Sequence, residues 1–125
     1  MPTPGKPKIL VVDDEPDTVE LIQLTLSTAG YDIHTAMSAV EAMNCLEDED
    51  FDLLLLDVMM PEVSGFDMVT HLHEKQKDIP PVVFLTARVT QADRSQGEDL
   101  GAAAYLTKPA KRGDLLDVVK KIVGR

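Results

Sequence analysis

Residues 8–14 read KILVVDD and residues 53–57 read LLLLD, two short apolar runs that each end in acid. Neither run is long enough for an ordinary helix, and Ile9 to Val12 are mostly β-branched, the pattern of a strand buried on both faces. Downstream of the first run, Pro16 stands where a first helical turn would start. Val19, Ile22, Leu26 and Ala29 then recur at three-and-four spacing until Gly30, which predicts a helix. The same unit repeats along the chain. Asp32 to Ala36 predicts a strand, followed by a helix through Val40, Met43 and Leu46; Phe51 to Asp57 predicts a third strand, followed by a helix from about Gly65 with Phe66, Val69 and Leu72. Pro81 to Thr86 (PVVFLT) predicts a fourth strand and Ala104 to Thr107 a short fifth, and Leu115, Val118, Val119 and Ile122 stripe a last helix. The stretch from Thr90 to Leu100 is nearly all polar and contains Gly97, so the fourth helix is expected to be marginal and mobile.

Five strands alternating with five helices predict a doubly wound α/β fold. Right-handed crossovers bring helices over both faces of one parallel sheet. The 125 residues suit one domain, expected over 8–125 and preceded by a flexible tail at 1–7 that is rich in Pro and Gly. No uninterrupted apolar stretch approaches the roughly 20 residues of a membrane helix, and the start lacks an apolar signal core, so no membrane association and a cytoplasmic location are expected. Cys45 is the single cysteine, which excludes an internal disulfide, and it falls within the pattern of a helix as a structural thiol. A net charge of −10 argues against direct binding to nucleic acid or to an anionic membrane.

In doubly wound folds the ligand site lies beyond the C-terminal ends of the strands, where strand order reverses. The first strand ends in Asp13 and Asp14, the third in Asp57, the fourth in Thr86, and the fifth just before Lys108. In the flavodoxin-like order 2-1-3-4-5 the first and third strands are neighbours, so three carboxylates converge. Two unit charges about 4 Å apart repel by about 4 kcal/mol at an effective dielectric near 20, so the cluster calls for a cation or a raised pKa. An all-oxygen ligand set favours Mg²⁺. Lys108 adds a fixed positive charge and Thr86 a hydroxyl donor, and the whole suits phosphoryl transfer to a carboxylate. Each residue taken alone has a plainer reading. Asp13 and Asp14 could cap the helix near Pro16, Asp57 could be a turn residue, and Thr86 and Lys108 could be structural or surface residues.

The chain resembles the receiver-domain family of two-component response regulators, chemotaxis regulators included, from Lys8 to Val123. The resemblance rests on VVDDEP with Asp13 and Asp14, LLLLDVMMPEVSG with Asp57, Pro61 and Gly65, FLTA with Thr86, and GAAAYLTKP with Tyr105, Lys108 and Pro109. It implies that Asp57 is phosphorylated by a partner histidine kinase or phosphotransfer protein. Asp14 would bind Mg²⁺ directly, Asp13 through water, and Met59 through its main-chain carbonyl. It further implies that Lys108 contacts the phosphoryl oxygens, that Thr86 is a switch hydroxyl with Tyr105 reporting its state, and that the Lys108–Pro109 peptide is cis. Output to a downstream protein or domain would use the face of the fourth helix, fifth strand and fifth helix. Met59 and Arg88 would flank the approach of hydrolytic water, so the phosphorylated state is expected to decay slowly. Two departures stand out: Ala110 replaces a frequent Phe after Lys-Pro, and Ser95 an apolar residue of the fourth helix.

Other functions fit less well. A haloacid-dehalogenase-type hydrolase needs a second Asp two residues after the nucleophile, where this chain has Met59, so a self-modifying acceptor rather than an enzyme is expected. A flavodoxin-type FMN site would set Asp13 and Asp14 against the phosphate. A receiver that is never phosphorylated would be expected to have lost one of the five site residues. His34, His71 and His73 do not share one face and look like no metal site.

Overall fold

A computed structural model describes residues 6–60, 62–75, 78–87 and 91–124, with the side chains of 91–94 excepted. The expected tail lies mostly outside these residues, with only its last two positions described. Parallel strands β1 (Lys8–Val12), β2 (Asp32–Ala36), β3 (Leu53–Asp57), β4 (Val82–Thr86) and β5 (Ala104–Thr107) alternate with α1 (Pro16–Thr28), α2 (Ala39–Asp48), α3 (Gly65–Glu74), α4 (Gln91–Asp99) and α5 (Arg112–Val123). The sheet order is β2-β1-β3-β4-β5, the doubly wound order expected.

The apolar runs are continuous because alternate residues serve opposite faces of the sheet. Leu10, Val12, Leu54 and Leu56 pack with Ala42, Met68, Val69 and Leu72 of α2 and α3. Their neighbours Ile9, Val11, Leu53 and Leu55 pack with Ile22, Leu26, Leu115 and Val119 of α1 and α5. All eight strand residues are fully buried. At about 25 cal/mol per Å² of apolar surface, this double-sided burial is the main stabilising contribution to the fold.

Three local expectations are corrected. Strand β4 begins at Val82, because Pro81 has no N–H for the ladder, although its carbonyl accepts from the Leu54 N–H at 2.9 Å. Ala29 lies past the end of α1 as its exposed C-cap, and Val40 is 63 % exposed in the first turn of α2, so neither joins the core. The polar segment forms helix α4 as expected, with Ser95 exposed and Gly97 buried.

Candidate functional site

The sheet register builds the site. Strand β1 lies between β2 and β3, so Asp13 and Asp14, immediately after Val12, reach the same edge as Asp57 at the end of β3. Next in order, β4 ends at Thr86 and β5 is followed by Lys108, whose N–H donates to the Thr86 carbonyl at 2.6 Å. One oxygen from each of Asp13, Asp14 and Asp57 lies within 4.8 Å of the others. Asp13 and Asp57 are buried, at 0 % and 2 % exposure, and Thr86 is buried too.

Local hydrogen bonds orient these carboxylates. The Glu15 N–H donates to Asp13 Oδ1 at 3.0 Å, and the Met59 N–H donates to Asp57 Oδ1 at 3.2 Å. Neither Asp13 nor Asp14 caps α1. Glu15 holds the N-cap position, and its side chain makes no capping hydrogen bond. Lys108 Nζ stands 2.7 Å from Asp13 Oδ2, 2.9 Å from Glu15 Oε1 and 3.3 Å from Asp57 Oδ2. The Glu15 contact has hydrogen-bond geometry. Asp13 Oδ2, although close, is not aligned as an acceptor and remains a buried oxygen without a hydrogen bond.

The electrostatics follow from this crowding. Burial, then the Asp13 charge, pushes the Asp57 carboxyl up to about 7, against the opposing pull of Lys108 and the Met59 N–H. Burial works against the Lys108 ammonium, but the close Asp13 carboxylate, the hydrogen bond to Glu15 and the charge of Asp57 outweigh it and hold its pKa above the usual lysine value. Three acidic side chains that each bring an oxygen within 4.8 Å of the others fit a hard divalent cation.

Around this cluster the expected residues are positioned as follows. The Tyr105 ring is half-buried, 5.9 Å from Phe84 and 6.4 Å from Phe66 between ring centroids, and Gly97 of α4 leaves room for its edge. The Lys108–Pro109 peptide is cis. Met59 is 68 % exposed at the rim, while Arg88 and Pro61 lie outside the described residues. His34 sits apart, 3.5 Å and 3.6 Å from Asp32 and Glu49. Sequence reasoning missed Glu15 as a partner of Lys108. Its signal was there: an acid between Asp14 and Pro16 must sit at the helix start, beside the site.

A buried carboxylate, an acidic cluster that could hold a cation and a fixed ammonium at the strand ends of a doubly wound sheet are the parts that a phosphoryl-accepting signalling domain needs. The family model of the response regulator receiver domain matches residues 9–120. The chain is 42% identical over 118 residues to the alkaline phosphatase synthesis transcriptional regulatory protein PhoP of Bacillus subtilis, covering 94% of this chain and 49% of that protein. It is 37% identical over 117 residues to the response regulator SaeR of Staphylococcus epidermidis, covering 94% and 50%. Among solved structures, the chemotaxis protein CheY4 of Vibrio cholerae is similar with a TM-score of 0.87 and 29% identity, over 94% of this chain and 99% of that one. This chain belongs to the response regulator receiver domain family. It spans about half the length of the curated relatives it matches.

Proposed function

We propose that Asp57 accepts a phosphoryl group from a phosphohistidine of a partner kinase or phosphotransfer protein. The observation that carries the reading is the buried Asp57 carboxylate clustered with Asp13 and Asp14 and facing Lys108 Nζ at 3.3 Å. An Asp57 oxygen attacks phosphorus as the P–N bond breaks; the electron pair leaves on the donor imidazole, which takes a proton from water. Asp14 and Asp57, the Met59 main-chain carbonyl, and Asp13 through water would hold Mg²⁺. That ion would offset the negative charge gathered by three carboxylates and a phosphoryl group. Lys108 gives the transferred group a fixed ammonium, and the Thr86 hydroxyl gives it a donor.

Thr86 and Tyr105 couple the site to the face of α4, β5 and α5, which carries output to a downstream protein or domain. The packing of Tyr105 between Phe84, Phe66 and Gly97 supports this route, since a ring held on that face can change rotamer when Thr86 moves. The chain is modified once per signal rather than turning over substrate. Among the described residues no helix is long and apolar enough to cross a membrane, and the net charge of −10 disfavours direct DNA contact, which supports action beside cytoplasmic partners.

Intact mass after incubation with acetyl phosphate and Mg²⁺ tests the acceptor. A single phosphoryl increment is expected in the parent and none in Asp57→Asn or without Mg²⁺. An equal increment in Asp57→Asn would move the acceptor elsewhere.

A further inference from the structure

Lys108 is engaged before any phosphoryl group arrives. Its Nζ lies within ion-pair distance of Asp13, Glu15 and Asp57, and it donates a hydrogen bond to Glu15. Three carboxylates thus crowd the ammonium, and a phosphoryl oxygen that takes Lys108 competes with them for it. Asp13 is fully buried and anchored through Oδ1 to the Glu15 N–H, so it cannot swing away. Asp57 is the proposed acceptor and stays in place. Glu15 differs from both: its side chain is 62 % exposed, it caps nothing on α1, and it has water to return to. It also borders a cavity of about 300 Å³ together with Lys108, Thr18, Ile22, Pro109 and Ala110, which leaves it room to move. The small Ala110 side chain helps to keep that space open.

Resting on Asp57 as acceptor, we propose that Glu15 is a positioning residue: a latch that holds Lys108 in the unphosphorylated protein and is the partner displaced when the phosphoryl group binds. The latch competes with the phosphoryl oxygens, so releasing it speeds phosphorylation. An exposed ion pair limits the gain to about two- to fivefold.

The test compares phosphorylation rates with acetyl phosphate at saturating Mg²⁺ for the parent, Glu15→Gln, Glu15→Asp and Asp17→Asn. Glu15→Gln loses the charge, while Glu15→Asp keeps it on a side chain one methylene too short to hold Lys108. Both Glu15 variants are expected to be about two- to fivefold faster than the parent, and Asp17→Asn, which removes a nearby charge that does not touch Lys108, unchanged. A gain in rate is not what damage to the fold produces. A faster Glu15→Gln with Glu15→Asp at the parent rate would reduce the effect to general charge and overturn the latch. A Glu15→Gln that is unchanged or slower would overturn it as well. Asp57→Asn in the same assay separates the two ideas, because labelling there refutes the acceptor and not the latch alone.

Discussion

Asp57 is held in an environment that favours its proton. Burial and the Asp13 charge raise its carboxyl to about 7, whereas an unfolded chain titrates the same group near 3.9. Between about pH 4 and pH 7 the folded state therefore binds the extra proton, so stability falls as pH rises through that window. Without metal, Asp57→Asn should melt with the parent near pH 4 and higher than the parent at pH 8, by on the order of 5 °C. Thermal melts across pH in chelator check this, and an equal difference at both ends would mean that Asp57 is not strained. Glu15 makes the complementary point at this scale. Its residue type was plain in the sequence, but its use was not, because a helix-start acid normally serves the helix.

At the scale of elements, the strands deliver the site and the helix starts close it. Helix α3 begins under the end of β3. Ser64 accepts from the Asp67 N–H at 3.1 Å as its N-cap, and the Gly65 N–H donates to the Val58 carbonyl at 2.9 Å. A Cβ on Gly65 would collide with the Asp57 main-chain carbonyl and meet Leu56 Cγ at 3.1 Å. The backbone carbonyl cannot yield as a flexible side chain would. Gly65→Ala should thus destabilise the fold by about 1–3 kcal/mol despite the better helix propensity of Ala. Denaturant unfolding measures it, and a stabilised variant would contradict the close approach of α3 to β3. Gly65 was visible in the sequence as the beginning of a helix and as a motif residue; that it is a spacer against Asp57 depends on a contact between elements.

For the whole molecule, a cluster of like charges should make stability respond to Mg²⁺. A cation that binds the folded state alone stabilises it by mass action, so the melting temperature of the parent should rise with Mg²⁺ at pH 8. Asp14→Ala should abolish most of that rise. Asp13→Ala should keep more of it, because Asp13 is expected to act through water and already faces Lys108. Melts over a Mg²⁺ series decide this, and equal losses in the two variants would argue against different modes of ligation.

Strand number, order of elements, and the two-sided burial of β1 and β3 were determined by the sequence, since continuous β-branched and leucine runs admit no half-exposed strand. So was the set Asp13, Asp14, Asp57, Thr86 and Lys108, because each falls at a strand end and doubly wound folds gather those ends at one edge. The helical periods were less decisive. They placed Ala29 and Val40 on inward faces, whereas the end of α1 and the first turn of α2 leave both in water. Only the tertiary structure decided which carboxylates Lys108 holds, that Asp13 Oδ2 is buried without a hydrogen bond, and that Glu15 reaches across 93 positions of chain to Lys108. Periodicity and strand ends are properties of short segments and can be read along the chain. Ion-pair distances of about 3 Å depend on how two distant loops meet over the sheet, and nothing local specifies that meeting.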